Sequence, residues 1–204
     1  DSVASRGLGD VYKRQRELYC CSFSADTVVY KGLVMPSEFD SFYTDLSDTS
    51  HRTASVMFHI RFSTNTSPKW HLAQPYRVIA HNGEINTISG NRNWALARMN
   101  NLSSKRFGNM RKYQPLVNQS GSDSSSLDNM IEVLKEGGVN IGRAARMLIP
   151  PSWQNTDLMD SDEKAFHEYN SMHMEAWDGP ALICFQDKNF LSCFLDRNLS
   201  LIHI

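Results

Sequence analysis

The sequence predicts an α+β domain, with strands in its first half, helices in the middle and a hairpin at its end. Apolar runs rich in β-branched and aromatic residues precede residue 83 and follow residue 180. Between them lie runs with helical periodicity and capping residues. Strands and helices grouped in this way are typical of a layered α+β arrangement.

Both ends of the chain are interpreted as non-native. Residues 10–15 read DVYKRQ and residues 199–204 read LSLIHI. One DNA string, GATGTGTATAAGAGACAG, encodes the first, and its reverse complement encodes the second. The string resembles the mosaic-end adapter of transposase-based library preparation. We therefore predict that residues 1–15 and 199–204 are adapter-derived, and that 16–198 is an internal segment of a longer protein.

Four apolar runs in the first half of the chain are predicted to be extended. They are Leu18–Ser24, Thr27–Leu33, Ala54–Phe62 and Tyr76–Ala80. The first two are separated by Ala25-Asp26 and predict a hairpin. The fourth leads into an Asn82-Gly83 pair, which predicts a turn.

Helices are predicted in the middle of the chain, followed by a closing hairpin. The helical stretches are Asn91–Asn101, the run LDNMIEVLKE after the capping residues Ser122–Ser126, Ile141–Leu148 and Asp160–Met174. Gly137-Gly138 stops the second, Pro150-Pro151 ends the third, and acidic residues fill the first turn of the fourth. Residues 102–121 are polar and basic and predict a loop. The hairpin comprises Ala181–Gln186 and Phe190–Leu195.

The composition excludes several classes of function. A formal net charge of −1 gives no electrostatic footprint for nucleic acid or an anionic membrane surface. No apolar run approaches the roughly 20 residues of a membrane span. The four cysteines form no C-x-x-C pair, which favours a reducing compartment such as the cytoplasm. His167 and His173 lie six residues apart, so no metal site is predicted.

Arg61 stands alone in the run that ends at Phe62. Such an arginine is often a surface residue whose stem packs on the protein, or one half of an ion pair. The functional alternative is a bidentate clamp on a substrate carboxylate, which the planar guanidinium suits. This residue by itself does not decide between the two.

Asn82 and Gly83 follow His81 and precede Glu84. An Asn-Gly pair between strands is most often a hairpin turn, but these flanks do not alternate as those of a plain hairpin should. The alternative is a two-donor oxyanion hole made by the Asn82 amide and the backbone N–H of Gly83. Asp123, just before a predicted helix, is either a cap or a carboxylate that receives a substrate ammonium.

Taken together, these segments resemble a known family. HIRFSTNT, QPYRVIAHNGEINT and GNRNW, in that order, resemble the glutaminase domain of the glutamate synthase large subunit. The later segments GSDSSSLDN, IPPSWQN, DEKAFHEYNS, MEAWDGPA and FLDRN agree, so the resemblance covers nearly all of residues 16–198. Weaker versions of the arginine and H-N-G motifs occur across class II amidotransferases, whereas W-Q-N and W-D-G-P-A favour glutamate synthase.

The resemblance implies a four-layer α-β-β-α sandwich of the N-terminal-nucleophile type, incomplete here, and a reaction on L-glutamine. An N-terminal cysteine attacks the side-chain amide in this family, with its own amine as the base. Matched motif by motif, Arg61 would bind the α-carboxylate and Asp123 the α-ammonium. Asn82 and the N–H of Gly83 would hold the oxyanion.

The resemblance also implies cofactors and partners outside this segment. The released ammonia would aminate 2-oxoglutarate at a synthase site in the same chain, which uses FMN and an iron–sulfur cluster. The electron donor would be NADPH or NADH, through a small NAD(P)H-oxidising subunit, or ferredoxin. The compartment would be the cytoplasm, or a plastid in a photosynthetic eukaryote. No cofactor, nucleic acid or membrane is expected to bind this segment itself.

One departure from the family pattern concerns the nucleophile. Cys20 and Cys21 lie inside an apolar run instead of at a terminus. We therefore expect the nucleophilic cysteine to be absent and the segment to be inactive as it stands. Three alternatives stay open: another class II amidotransferase, a non-catalytic glutamine-binding paralogue, and a plain α+β binding domain whose motifs are turns and caps.

Overall fold

The computed structural model describes residues 19–62, 67–105 and 107–195. The stretches interpreted as adapter-derived, 1–15 and 199–204, lie outside these ranges. The strands are β1 (Ile79–Gly83), β2 (Ser103–Ser104), β3 (Gly108–Asn109), β4 (Ala181–Gln186) and β5 (Leu191–Leu195). The helices are α1 (Phe39–Phe42), α2 (Ile88–Arg98), α3 (Asp123–Glu136), α4 (Ile141–Leu148) and α5 (Ser161–Ser171). Short 3-10 turns occur at Pro36–Glu38, Thr44–Ser47, Trp70–Leu72 and Met110–Tyr113.

The main sheet is antiparallel, with the strand order β1-β4-β5. Gly83 lies opposite Ala181, and Cys184 lies opposite Cys193. The β2–β3 ribbon is a separate two-stranded sheet inside the predicted loop.

The hydrophobic core lies against one face of the main sheet. Alternate residues of β4, including Ile183 and Phe185, are buried in it together with Leu127 and Ile131 of α3 and Leu148 of α4. The opposite face carries Leu182 and Leu191, whose side chains are 37% and 55% exposed. The α+β prediction is confirmed: the described elements include a three-stranded sheet with helices packed on one face, and a separate two-stranded ribbon.

The helix predictions are confirmed with small shifts in their bounds. Ser122 caps α3, its side chain accepting a hydrogen bond from the N–H of Ser125. Asn140 caps α4, and Asp160 caps α5 by accepting from Glu163 at 2.8 Å. Because a cap depends on neighbours in the sequence, it can be predicted without the fold. No helix in the described ranges is both long and apolar enough to span a membrane.

The predicted N-terminal hairpin is wrong where the structure describes it. Residues 19–35 contain no strand, and Phe23 is 99% exposed. Local side-chain bonds organise this stretch instead, as when Val29 donates its N–H to the Ser22 hydroxyl at 3.1 Å. The run 54–62 is also not a strand, although its exposed and half-buried residues alternate. Strand propensity alone does not form a strand without a partner.

The predicted Asn82-Gly83 turn is also wrong, because both residues belong to β1 and pair with β4. The strand starts at Ile79, three residues later than the predicted run. Asp128, which is buried in α3, accepts hydrogen bonds from the N–H groups of Val78 at 2.9 Å and Ile79 at 3.2 Å. A carboxylate of the neighbouring helix thus anchors the start of this strand.

Candidate functional site

Three of the four predicted site residues line one cleft. Arg61, Asn82 and Gly83 border a cavity of about 170 Å³. The other lining residues are His59, Phe62, Gln74, His81, Glu84 and Ser124. Asp123 is not among the described residues that line it, but its neighbour Ser124 is. The cleft therefore joins the run before residue 62, the end of β1 and the first turn of α3.

The backbone N–H of Gly83 points away from β4. Gln186 donates to the carbonyl of Val78 at 2.9 Å, and Glu84 donates to that of Pro180 at 3.1 Å. Because hydrogen-bonded pairs alternate along an antiparallel ladder, the even-numbered residues of β1 bond to β4. The N–H groups of His81 and Gly83 face the other edge. The first of these donates to the Gln74 side chain at 2.7 Å, and Gly83 is among the residues that line the cleft.

Gly83 has a φ of +143°, a conformation that other residues rarely adopt. A Cβ there would lie 2.0 Å from the carbonyl oxygen of Pro180. Gly179, with a φ of +157°, is restricted to glycine for the same reason, because a Cβ there would lie 1.8 Å from the carbonyl oxygen of Glu84. These two glycines let the backbones of the H-N-G-E and W-D-G-P segments pack in direct contact.

Hydrogen bonds extend this contact beyond the end of β1. The carbonyl of Asp178 accepts from the N–H of Asn86 at 2.7 Å, and its own N–H donates to the Thr87 hydroxyl at 2.9 Å. On the other side, Trp177 donates its N–H to the carbonyl of Leu148 at 2.6 Å. The W-D-G-P segment therefore fixes the end of β1 against the helical layer.

His81 is a buried member of the site, with 2% of its surface exposed. Its Nδ1 lies 2.7 Å from the Ser124 hydroxyl, and Gln74 bonds both its backbone N–H and its carbonyl at 2.7 Å. Its Nε2 is buried and has no hydrogen-bond partner among the described residues. Burial lowers the pKa of His81, against the opposing effect of Asp123, so the imidazole is neutral at neutral pH.

His59 adds a second imidazole to the cleft. Its Nδ1 accepts the backbone N–H of Arg61 at 3.1 Å. Burial lowers the pKa of His59 as well. Because both imidazoles are therefore neutral near pH 7, Arg61 is the cationic side chain among the described residues that line the cleft.

Asp123 is the first residue of α3, and its carboxylate bonds to nearby backbone. One oxygen accepts the N–H of Ile85 at 2.9 Å, and the other accepts the N–H of Ser124 at 2.8 Å. The first bond ties α3 to the segment after Gly83. The N-cap of α3 is Ser122, so Asp123 lies in the first turn of the helix, where the dipole favours a carboxylate.

Sequence reasoning did not identify Gln74, His59 or Ser124 as site residues. The Gln74 side chain acts as a short strand partner for His81, a contact that the local sequence does not signal. Ser124 belongs to the run Ser122–Ser126, which was interpreted as helix-capping residues. The spacing of His59 and Arg61 could have identified His59 as a site residue, because residues two apart in an extended segment share a face.

A larger cavity, of about 590 Å³, lies between α4 and α5. Arg146, Trp153, Gln154 and His167 are among its lining residues, and the rings of Trp153 and His167 stack at 6.4 Å. None of the predicted site residues borders this cavity. Arg146 also forms an ion pair with Glu163, so the charge of its guanidinium is already paired within the protein. Volume alone would favour this cavity, but the candidate chemistry lies in the smaller cleft.

Comparison with known proteins agrees with the motif resemblance. The family model described as "Glutamine amidotransferases class-II" matches residues 4–200. The chain is 45% identical to the glutamate synthase [NADPH] large chain of Bacillus subtilis, over 89% of this chain and 12% of that protein. It is 42% identical to the glutamate synthase [NADH] of Schizosaccharomyces pombe, over 91% of this chain and 9% of that protein. It is 41% identical to the ferredoxin-dependent glutamate synthase of Cyanidium caldarium, over 92% of this chain and 12% of that protein.

The chain therefore spans about a tenth of the length of these relatives. The identity is nearly equal across enzymes whose names carry three different electron donors. The family match extends over almost the whole chain and agrees with the motifs around Arg61, Asn82 and Gly83. The chain belongs to the class-II glutamine amidotransferases.

Proposed function

We propose that this chain is the glutaminase part of a glutamate synthase and that its cleft binds L-glutamine. The observation that carries this proposal is the convergence of Arg61, Asn82 and Gly83 on one cavity of about 170 Å³. Glutamine carries an α-carboxylate, an α-ammonium and a side-chain amide. The cleft offers a cation and two neutral donors, which suit the first and the last of these groups.

Each residue has a role in this proposal. Arg61 forms a forked contact with the α-carboxylate. When a nucleophile attacks the amide carbon, the carbonyl oxygen gains negative charge, and the Asn82 amide and Gly83 N–H stabilise it. Ammonia then leaves. Because β1 and the W-D-G-P segment fix the backbone at Gly83, this donor is in position before the substrate arrives.

Asp123 is proposed to receive the α-ammonium. Its oxygens already accept backbone N–H groups of Ile85 and Ser124. A carboxylate offers about four lone-pair sites, so these two bonds and a longer one from the Ser124 hydroxyl, at 3.4 Å, leave capacity for an ammonium. The proposed contact would lie on the side of α3 nearest β1.

The rest of the proposal concerns the whole protein. The ammonia would aminate 2-oxoglutarate in a synthase region of the same polypeptide, with FMN and an iron–sulfur cluster bound there. The names of the relatives supply the candidate electron donors: NADPH, NADH and ferredoxin. The compartment proposed is the cytoplasm, or a plastid if the source is a photosynthetic eukaryote.

We also propose that the described sheet is one inner layer of a four-layer α-β-β-α sandwich. Its support is the apolar face opposite the helices, where Leu182 and Leu191 are 37% and 55% exposed. A second sheet would bury this face at the roughly 10 Å spacing of stacked sheets. Residues 16–198 are proposed as the native segment, which resequencing of the source locus without transposase adapters would test.

Isothermal titration calorimetry with L-glutamine tests the binding proposal directly. Arg61→Ala should weaken binding by about 10- to 100-fold, because a hydrogen bond to a charged group contributes roughly 1.5–3 kcal/mol. Arg52→Ala is the matched control, since Arg52 is also exposed but does not line the cleft. Equal affinities of the two variants would contradict the proposed clamp. In the full-length polypeptide, Arg61→Ala should reduce glutamine-dependent glutamate formation while the flavin content stays unchanged.

A further inference from the structure

One buried side chain links β1 to the first turn of α3, and the proposed reaction does not use it. His81 and Ser124 are both buried, and the Nδ1 of His81 lies 2.7 Å from the Ser124 hydroxyl. The bond joins the strand that carries Asn82 and Gly83 to the helix that begins with Asp123. It therefore connects the proposed oxyanion donors with the carboxylate proposed for the substrate ammonium.

Both partners of this bond are held on their own elements. Gln74 bonds the backbone N–H and the carbonyl of His81, each at 2.7 Å, and Ser124 belongs to a helix capped by Ser122. Because residues two apart on a strand share a face, His81 lies on the same side of β1 as Ile79, which is packed in the core. The contact is thus inside the layer between sheet and helices, and it does not depend on what covers the other face of the sheet.

Ser124 also contacts Asp123, and this contact sets the direction of the hydrogen bonds. The Ser124 hydroxyl donates to Asp123 Oδ1 at 3.4 Å, because an ionised carboxylate can only accept. The backbone N–H of Ser124 donates to the same oxygen at 2.8 Å. A serine hydroxyl has one proton, so the Nδ1 of His81 is the donor in the 2.7 Å bond. The bonds then run from the imidazole through the hydroxyl to the carboxylate.

The surroundings of the imidazole agree with this direction. Burial lowers the pKa of His81, so the ring is neutral near pH 7 and carries its single proton on Nδ1. Its Nε2 is buried and has no hydrogen-bond partner in the described part of the chain, so the bond to Ser124 orients the ring there. A neutral ring also adds no positive charge beside the site proposed for an ammonium.

We propose that His81 is a positioning residue for the substrate ammonium, acting through Ser124 on the carboxylate of Asp123. The inference rests on the proposed function, in which Asp123 receives the α-ammonium of L-glutamine. The N–H of Ile85 holds one oxygen of this carboxylate at 2.9 Å, and Ser124 holds the other. With both oxygens held, the carboxylate has its orientation before the ammonium arrives. Without His81, the Ser124 hydroxyl is free to turn to carbonyl groups of the preceding turn.

Calorimetric titrations of the whole chain with two ligands test the proposal. The ligands are L-glutamine and glutaramic acid, which has the same carboxylate and amide but lacks the α-ammonium. His81→Leu removes the donor, and Ser124→Ala removes the hydroxyl. Each should reduce the preference for L-glutamine over glutaramic acid by about 10-fold, because the lost contacts orient a charged group, while glutaramic acid binds nearly as it does to the wild type. His81→Asn should restore most of the preference, since an asparagine amide N–H can take the place of Nδ1–H.

Two controls separate this effect from a general loss of structure. His167→Leu changes another buried histidine, which lines the larger cavity, and should keep the wild-type preference. Asp123→Asn removes the proposed ammonium acceptor and should lose the preference. If the wild type shows no preference, or Asp123→Asn keeps it, the ammonium site and this inference fail together. If both behave as proposed and His81→Leu keeps the preference or weakens both ligands equally, only the positioning role of His81 is overturned.

A measurement on the unaltered chain does not depend on whether a variant folds. In a ¹⁵N-labelled protein, the chemical shifts of the two ring nitrogens of His81 report which of them carries the proton. The proposal predicts a protonated Nδ1 and an unprotonated Nε2 near pH 7. The opposite tautomer would make the Ser124 hydroxyl the donor to His81, and would overturn the proposal.

Discussion

Replacement of Gly83 by alanine would place a methyl group against the backbone of the W-D-G-P segment. The added Cβ would lie 2.0 Å from the carbonyl oxygen of Pro180 and 2.8 Å from the Cα of Ala181. Both atoms belong to the backbone, so the clash cannot be relieved by a side-chain rotation. The strand would have to move by on the order of 1 Å to restore ordinary contact distances.

The expected destabilisation can be worked from three terms. A non-glycine residue in a sparsely populated backbone conformation costs about 1–3 kcal/mol. Overpacking costs roughly another 1–3 kcal/mol. Weakening the bond from Glu84 to Pro180, now 3.1 Å, adds about 0.5–1.5 kcal/mol. The total, roughly 2.5–7.5 kcal/mol, is a large part of the 5–15 kcal/mol typical of a folded domain.

Urea denaturation measures this change. Gly83→Ala should lower the denaturation midpoint strongly without changing the slope. The matched control is Gly90→Ala, because Gly90 lies inside α2 and nothing would contact its added Cβ within 4 Å. That control should gain about 0.5–1 kcal/mol. A Gly83→Ala protein within about 0.5 kcal/mol of the wild type would refute the reasoning.

Three further predictions concern buried polar side chains. Gln74→Ala should destabilise the protein by about 2–4 kcal/mol in urea denaturation, because both 2.7 Å bonds to the backbone of His81 are lost, and a loss below about 0.5 kcal/mol would argue against this role. Burial raises the pKa of Asp128 from 3.8 to about 7, so the folded state holds a proton more tightly and stability should fall as pH rises between these values. Over that range, the free energy of unfolding of the wild type should fall by up to about 4 kcal/mol relative to that of Asp128→Asn. A difference between the two proteins that stays constant with pH would contradict the raised pKa of Asp128. Asn91→Ala, which removes a buried 3.0 Å bond to the segment before β4, should cost about 1–3 kcal/mol, and the exposed Asn101→Ala should cost less than about 0.5 kcal/mol.

The helices were predictable because their signals are local. Ser122, Asn140 and Asp160 each cap a helix through an N–H two or three residues away, and Gly137-Gly138 follows the end of α3. The closing hairpin was predictable for the same reason, since its turn at Asp187 directly joins its two strands. Interactions between residues that are close in sequence therefore determine these elements.

The strands of the first half depended on long-range partners. Residues 19–35 have strand composition but find no strand partner among the described residues. The end of β1 shows the opposite effect, because pairing with Ala181 and Leu182 draws an Asn-Gly sequence into a strand. Local turn preference was overridden by a contact about one hundred residues away in sequence.

The candidate site was partly predictable for a related reason. Arg61, Asn82 and Gly83 carry family motifs, so the resemblance placed them together before the cleft was visible. Gln74 and Ser124 act through the backbone and ring of His81, and neither contact leaves a pattern in the sequence. The motifs also did not signal Gly179, which lets the W-D-G-P segment pack directly on the backbone of Glu84 in the H-N-G-E segment.

The most direct test of the glutamine-binding cleft is a titration of the ¹⁵N-labelled chain with L-glutamine, followed by amide NMR. The account predicts a saturable shift of the Gly83 amide, with D-glutamine producing a much weaker effect because its ammonium and carboxylate are exchanged in space. Shifts confined to the cavity around Trp153, or no shift at Gly83 at saturating L-glutamine, would contradict the assignment of this cleft.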